Sequence, residues 1–361
     1  MEIDSRFHKS RDKTVKNMNE LLRQLSEAVG VAGDEKEVRL LLRDLIAAHV
    51  DEWRVDAMGN LLALKKGTGA SDLRVMVDAH MDEIGVMVTA VDSDGTLRFS
   101  NVGGLSQRTV LGKVVQIGPK KVTGVIGARP IHLLTSSQRK SLVKMKDMRI
   151  DIGATKKTNA SKKVSVGDRG TFVTEYTELG PTATGKAFDD RAGCAALVEL
   201  LRGDPFPFDL HAAFTVQEEV GLRGAQVAAY AIKPDVALVL ECTPAYDLPN
   251  ERDVSPNVAL GRGPSVYVMD AGTIQDPRLV RHIMRTAGAN GIPFQIRQPG
   301  GGGTNTAVIQ RVSGGVSAAT IATPARYIHG PAAMINLEDY ANVVRLADAT
   351  LRTLQTDLFT R

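Results

Sequence analysis

The 361-residue chain is poor in cysteine and in aromatic residues, with two cysteines, one tryptophan and 4% aromatics in total. Cys194 and Cys242 both lie in apolar stretches, so no disulfide framework is expected and a reducing compartment is favoured. The first 22 residues lack an apolar core of the secretory type, so no cleaved leader is predicted. No apolar run reaches the roughly 20 residues that a membrane-spanning helix needs. We therefore expect a cytoplasmic protein with no membrane partner.

The chain also lacks a strong overall charge, since its formal net charge is +4. Its basic residues are unevenly placed, because ten Lys or Arg and only three Asp fall between Ser136 and Gly170. This stretch has no interleaved aromatic residues and no nucleic-acid-binding motif, which argues against a nucleic-acid partner. A solvated face or a contact between subunits is the expected role of the basic segment.

Patterns of strands and helices alternate along most of the chain. An apolar strand is predicted at Arg74–Ala79, and after residue 180 strands alternate with helices up to a final helix at Leu337–Leu351. Such alternation predicts an α/β fold with a mainly parallel central sheet flanked by helices. Between about Ile84 and Gly180, short β-rich runs alternate with glycine turns and helical periodicity is absent. We predict a discontinuous main α/β domain of residues 1–84 and 181–361, interrupted by a β-rich insert of residues 85–180.

Ligands of open α/β sheets bind beyond the carboxyl ends of the strands. Five separate segments place histidine or carboxylate side chains at such positions. These candidates are His80, Asp189, the pair Glu218 and Glu219, Glu241 and His329. Each has a structural explanation when taken alone, such as a helix cap for Asp189, but their coincidence at one edge of the sheet favours a functional site.

Mixed imidazole and carboxylate ligands suit zinc, cobalt or manganese rather than calcium, which prefers oxygen alone. Two histidines and three carboxylates are too many for one tetrahedral ion with an open position, but they fit two ions that share a carboxylate and activate a water. One residue of the Glu218–Glu219 pair would remain free to act as a general base. Asp82 follows His80 by two residues and can hold the second nitrogen of its imidazole.

The chain resembles the dinuclear-metal aminopeptidases that assemble into tetrahedral (TET) particles, of the glutamyl or leucyl aminopeptidase type. The resemblance rests on six segments that occur in the family's order along nearly the whole chain after residue 15. They are VDAHMDEIGVMV, GKAFDDRAG, VQEEVGLRGA, ALVLECTPA, GGGTNTA and ARYIHGP. The resemblance implies a phosphorylase/hydrolase-like zinc peptidase fold with an inserted small β-barrel-like dimerisation domain.

The resemblance also implies roles for the candidate residues. Asp189 would bridge two divalent metal ions, with zinc or cobalt expected and manganese compatible. Glu219 and His329 would complete one metal site, and His80 and Glu241 the other. Glu218 would be the general base and Asp82 would orient His80. The implied substrates are short peptides with a free N-terminus, and the implied assembly is a homo-oligomer in which dimers form a tetrahedral dodecamer.

Two positions differ from the pattern of many family members, which have aspartate where this chain has Glu241 and Asn305. Three other functions also remain open from the sequence. The first is a metal-dependent deacylase of N-acyl amino acids, which would need a blocked amine. The second is a glycoside hydrolase with paired carboxylates, which would give the two histidines no role. The third is a non-catalytic scaffold on the same fold.

Overall fold

A computed structural model describes residues 17–247, 258–298 and 300–359 of the chain. Most of the N-terminal stretch that was expected to lack a cleaved leader, residues 1–16, lies outside the described residues. Within the described ranges, no helix combines the length and the apolar character that crossing a membrane requires.

The strands are distributed along the whole described chain. They are β1 (Glu52–Val55), β2 (Leu61–Lys65), β3 (Val75–His80), β4 (Gly85–Val91), β5 (Leu97–Val102), β6 (Val114–Ile117), β7 (Val122–Gly127), β8 (Arg149–Asp151), β9 (Arg169–Phe172), β10 (Thr177–Leu179), β11 (Thr182–Gly185), β12 (Leu210–Thr215), β13 (Val236–Pro244), β14 (Ser265–Tyr267), β15 (Gln295–Arg297), β16 (Ser317–Arg326) and β17 (Ala333–Asn336).

Helices alternate with these strands outside the region of β4 to β9, where two short helices occur. They are α1 (17–27), α2 (Lys36–Ile46), α3 (Ser136–Arg139), α4 (Lys157–Ala160), α5 (Phe188–Arg202), α6 (Arg223–Ile232), α7 (Pro277–Ala289), α8 (Thr306–Ile309) and α9 (Leu337–Arg352). Short 3-10 helices lie at Ile131–Leu133, Met145–Asp147 and Thr356–Phe359.

Local capping explains where the long C-terminal helices begin. The side chain of Asp276 accepts a hydrogen bond from the N–H of Arg278 at the start of α7, and Pro277 occupies the first helical position. Asn336 accepts bonds from two N–H groups in the first turn of α9. These side chains satisfy N–H groups that have no partner within a helix.

The large sheet has the strand order β1-β2-β12-β3-β13-β16-β17-β11-β10, with β14 beside β16 and β15 beside β14. The neighbours β12, β3, β13 and β16 run parallel. The strands on both sides of this centre pair antiparallel. The predicted fold class is thus confirmed, with the parallel arrangement concentrated in the centre of the sheet.

The alternating side chains of the central strands bury both faces of this sheet. On β3, Val75 and Val77 pack in the apolar cluster that includes residues of α1, α2, α5, α7 and α9. Met76 points to the other face and packs with residues of α6 and α8. Strands that are buried on both faces read as continuous apolar runs, which explains the pattern seen in the sequence.

Strands β4, β5, β8, β7, β6 and β9 form a closed barrel with its own apolar core. The chain leaves the large sheet after β3 and returns to it at β10, which pairs with β11. The sequence pattern did not reveal β10, β11 or β17 as strands of the large sheet. The structure places Glu35 at the N-cap of α2, without a capping bond from its side chain.

Candidate metal centre

His80 is the last residue of β3 and lies at the carboxyl edge of the sheet. Its Nδ1 atom lies 3.2 Å from the carbonyl oxygen of Asp82 and 3.4 Å from the Oδ1 atom of Asp82. Donation of a proton from Nδ1 to these oxygens leaves Nε2 as the atom that faces the other candidates. Nε2 lies 3.1 Å from Oδ1 of Asp189 and 3.5 Å from Oε1 of Glu241.

The candidate ligands form two groups that share one residue. His80, Asp189 and Glu241 offer ligand atoms that all lie within 4.8 Å of one another. Asp189, Glu219 and His329 form a second group by the same measure. Oδ1 of Asp189 faces His80, while Oδ2 lies 3.4 Å from Nε2 of His329. The two oxygens of one carboxylate are therefore directed toward different groups.

Tight backbone turns place the side chains of Asp189 and His329 at the site. Asp189 lies in a non-helical first turn of α5, where the Asp189–Asp190 peptide bond is cis, and Ala187 before it has a φ of 55°. His329 lies in the loop between β16 and β17 with a φ of 59°. Positive φ angles are uncommon for residues other than glycine and often mark functional loops.

Asp82 supports the loop that follows β12 as well as the histidine. Its two carboxylate oxygens accept hydrogen bonds from the backbone N–H groups of Glu218, at 3.0 Å, and Glu219, at 3.1 Å. The sequence suggested contact with the imidazole alone. Because one carboxylate touches both β3's histidine and the glutamate pair, it fixes the two segments relative to each other.

The site concentrates negative charge in a buried place. Burial and the charge of Asp189 raise the pKa of Glu219 to about 8. Burial likewise raises the pKa of Glu241 to about 7. Hydrogen bonding to Asp189 raises the pKa of His329 to about 9. Burial lowers the pKa of His80, but Glu241 and Asp189 outweigh it and hold that pKa well above its usual value.

These shifts share one cause, since the carboxylates cannot all be charged at neutral pH unless positive charge lies among them. Protonated histidines can supply part of it. Divalent cations supply more, and the mixed nitrogen and oxygen donors of each group match the ligands of zinc, cobalt and manganese. The residues present therefore fit a two-cation centre in which His80 and Glu241 belong to one ion, Glu219 and His329 to the other, and Asp189 to both.

Glu218 belongs to neither ligand group, although its neighbour Glu219 does. Burial raises the pKa of Glu218 well above its usual value, and His80 partly offsets this. Its side chain lines a cavity of about 340 Å³ together with Asp189, Glu219, Glu241 and His329. A carboxyl group beside the ligand groups that belongs to neither of them is placed to accept and return a proton.

The barrel contributes a wall to this site through the turn after β5. A Cβ atom at Gly104 would lie 2.6 Å from Nδ1 of His329, and one at Gly103 would lie 3.2 Å from Oε2 of Glu219. The absence of side chains at these two positions therefore leaves room for two candidate ligands. Nothing in the sequence pattern marked this glycine pair as part of the site, because it belongs to the insert.

Replacing Gly104 by alanine should disturb the site without disturbing the barrel. The added methyl group would force His329 to move, and displacements of about 1 Å in a catalytic site can cost 100-fold in rate. We expect kcat/KM for the substrate of this site to fall by about 10- to 100-fold. Gly127→Ala is the matched control, because a Cβ atom there meets no atom within 4 Å. Equal activity of the two variants, at equal melting temperatures, would contradict the contact.

A buried ionic cluster centred on Glu83, the Glu83 cluster, lies next to the segments that carry Asp82 and Asp189. Both carboxylate oxygens of Glu83 lie 2.8 Å from Nζ of Lys186, and Arg191 lies 3.5 Å away. Glu83 also accepts hydrogen bonds from the N–H of Gly30 and from the hydroxyl of Thr171 in barrel strand β9. One side chain thus joins the N-terminal segment, the loop that carries Asp189 and the barrel.

Asn305 and Glu241, the two residues that differ from the family pattern, both form hydrogen bonds with nearby residues. Nδ2 of Asn305 donates hydrogen bonds to Asp78, at 2.8 Å, and to Thr215, at 3.0 Å. An aspartate in place of Asn305 would put two carboxylates side by side where Asp78 is already fully buried. Glu241 accepts a bond from the N–H of Cys242 and still reaches His80.

Both cysteines are buried and free. Their Sγ atoms donate to backbone carbonyls near the site, Cys194 to His80 at 3.1 Å and Cys242 to Phe188 at 3.0 Å. Burial raises the pKa of each thiol well above its usual value, which keeps both protonated and unreactive. They act as small packing residues.

Comparison with known proteins extends over almost the whole chain. A family profile described as M42 glutamyl aminopeptidase matches residues 59–346. Lysyl aminopeptidase of Pyrococcus furiosus is 32% identical over 349 residues, which cover 94% of this chain and 99% of the relative. Glutamyl aminopeptidase of Lactococcus lactis is 30% identical over 349 residues, covering 93% and 96%.

Solved structures agree in fold. The TET aminopeptidase of a marine-sediment Thaumarchaeota archaeon has a TM-score of 0.91 at 34% identity and covers 96% of this chain and 98% of its own. The TET1 peptidase of Pyrococcus horikoshii has a TM-score of 0.84 at 32% identity, covering 93% and 100%. That peptidase is described as able to assemble into a tetrahedron or a large octahedral shell.

Proposed function

Because the chain belongs to the M42 glutamyl aminopeptidase family, in which relatives of matching length are aminopeptidases by name, we propose that it hydrolyses the first peptide bond of short peptides at a centre of two divalent metal ions. The observation that carries this proposal is the sharing of Asp189 between two ligand groups, with Glu218 beside both groups and part of neither.

The proposed division of work follows from the contacts of the side chains. His80 and Glu241 would hold one ion, Glu219 and His329 the other, and Asp189 both. When bound, the two ions supply Lewis acidity that polarises the scissile carbonyl and lowers the pKa of a water. Zinc or cobalt is the proposed metal, and manganese fits the same donors.

Glu218 is the proposed general base. Its carboxylate would take a proton from the attacking water and later return that proton to the leaving amine. A raised pKa suits this task, because the group must lose and regain a proton in each cycle near neutral pH. Asp82 would act as a positioning residue, since its bonds to the N–H groups of Glu218 and Glu219 hold the base next to a ligand.

The same proposal extends to assembly and location. We propose a homo-oligomer in which the barrel is the dimerisation domain and dimers build a tetrahedral dodecamer. The assembly described for the P. horikoshii peptidase supports this, at 32% identity over its full length. The exposed lysines of the basic segment, residues 136–170, belong to this barrel. The cytoplasm is the proposed location, in keeping with two free, protonated thiols.

Removal and return of metal test the proposal directly. We expect the chelator-treated protein to release no N-terminal residue from a panel of free-amine dipeptides and tripeptides. Zinc, cobalt or manganese should restore the release, while N-acetylated versions of the same peptides stay intact. Mass spectrometry of the products gives the measurement.

Three results would contradict the proposal. Hydrolysis of the N-acetylated compounds alone would indicate a deacylase. Absence of any hydrolysis with all three metals, in protein that melts cooperatively, would indicate a scaffold. A glycoside hydrolase would be indicated if the chelator-treated protein cleaved glycosides.

A further inference from the structure

The cavity beside the ligand groups is lined by a positively charged side chain as well as by acidic residues. Arg297, at the end of β15, lines the same cavity of about 340 Å³ as Glu218 and Glu241. It is the one lysine or arginine among the described residues that line the cavity. A cavity of this size accommodates one or two amino-acid residues rather than a long peptide.

Two contacts hold the guanidinium group of Arg297 in place. Its Cζ atom lies 4.5 Å from the centroid of the Tyr267 ring, and Nη2 donates a hydrogen bond of 2.8 Å to the carbonyl of Gly301. Nη1 lies 3.5 Å from the carbonyl of Met269, the limit of a hydrogen bond. Tyr267 is itself buried, so the ring that supports Arg297 has a fixed position.

No carboxylate in the described ranges forms an ion pair with Arg297. The other described arginines near functional segments differ in this respect: Arg326 pairs with Asp247 and Arg278 with Asp276. A guanidinium group has five N–H donors in a planar fork that matches a carboxylate. Most of these donors remain available to a ligand in the cavity.

We infer that Arg297 selects substrates whose N-terminal residue carries an acidic side chain. The inference rests on the proposed function, which places the scissile bond at the ligand groups and leaves one residue on its N-terminal side. The apolar residues Leu222, Pro244 and Ile328 also line the cavity and would offer contacts to the methylene groups of that side chain. Its carboxylate would then meet the fork of Arg297, in a charge-assisted pair of the strong kind.

The family alone does not fix this preference. The family profile is described as glutamyl, yet a relative that covers the chain to the same extent is named lysyl aminopeptidase. The preference must therefore come from side chains that this chain places in the cavity.

The test compares p-nitroanilides of glutamate, leucine and lysine, which have a free amine and no second residue. Wild-type protein should have a higher kcat/KM for the glutamyl than for the leucyl or lysyl compound. Arg297→Met should lower the glutamyl-to-leucyl ratio by about 10- to 100-fold, the range for a charge-assisted hydrogen-bonded pair. Arg297→Glu should reverse the preference, so that the lysyl compound becomes the better substrate.

Arg281→Glu is the matched control, because it makes the same change of charge at an exposed position of α7. It should leave the glutamyl-to-leucyl ratio at the wild-type value, which separates contact in the cavity from attraction by the overall charge. A second readout needs no turnover: calorimetry should show that wild-type protein binds L-glutamate more tightly than L-leucine and that Arg297→Met loses the difference.

The outcomes separate this inference from the proposed function. Equal hydrolysis of the three p-nitroanilides by wild-type protein would overturn the role of Arg297 and leave the aminopeptidase intact. A preference for dipeptides with a free carboxyl end over amidated ones, without any preference among the p-nitroanilides, would assign Arg297 to the other end of the substrate. Failure to cleave any compound with any metal would overturn both.

Discussion

Glu218→Gln should lower kcat for a free-amine peptide by about 10²- to 10⁴-fold, the usual contribution of a general base. Glutamine keeps the size of the side chain but cannot accept the proton of the attacking water. Because Glu218 lies outside both ligand groups, the variant should retain two ions per subunit. The measurement pairs steady-state rates with metal content after dialysis.

Glu175→Gln provides the control for this variant, since Glu175 is exposed and lies outside the cavity. It should keep wild-type rates. Retention of most activity by Glu218→Gln would remove Glu218 from the role of base. Loss of an ion together with the activity would instead make it a ligand.

Asp189→Asn should have the broadest effect on metal binding of any single ligand change. Its two carboxylate oxygens face different groups, so one substitution weakens both sites. We expect less than one ion per subunit after dialysis and activity lowered by at least about 100-fold, as for the loss of a ligand or its support.

Substitutions of residues that belong to only one ligand group provide the comparison for Asp189→Asn. Glu219→Gln and Glu241→Gln each alter one group, so each variant should lose one ion and keep the other. Asp72→Asn, at an exposed position, controls for the loss of a negative charge and should keep both ions. Retention of two ions by Asp189→Asn, at wild-type affinity, would show that the carboxylate is not shared.

The sequence predicted the parts of the site that follow from strand order. Residues after parallel strands share an edge, so His80, Glu219 and Glu241 could be placed together without coordinates. Periodicity also predicted the final helix at Leu337–Leu351, and the structure has it as α9, which begins at Leu337 after the cap Asn336 and ends at Arg352. Strongly patterned elements of this kind are determined by local sequence.

The elements that escaped prediction depend on distant partners. Strand β17 is short and begins just after the loop of His329, and its pairing with β11 lies about 150 residues away in sequence. The position of Arg297 above Tyr267 and the contact of Gly104 with His329 depend on how separate segments pack. No periodic pattern encodes such contacts, so only the folded chain shows them.

The boundaries of the insert also depend on pairing between segments that are distant in sequence. The division into residues 1–84 with 181–361 and residues 85–180 stays a prediction. The strand pairing closes the barrel between Gly85 and Phe172 and returns the chain to the large sheet at Thr177–Leu179. We propose that the second boundary falls between β9 and β10, a few residues before the boundary after residue 180 that the glycine turns suggested.

The Glu83 cluster limits how readily the barrel can be replaced by a barrel of another sequence. Thr171 of the barrel shares the Glu83 carboxylate with Lys186 and Gly30, and Arg191 lies beside them in the interior. Removing one partner of a buried ionic group commonly costs about 3–5 kcal/mol. A barrel of different sequence must therefore bring its own donor to this carboxylate. The insert is therefore not an independent unit joined by two linkers, because its interior and that of the catalytic domain share one buried, hydrogen-bonded carboxylate.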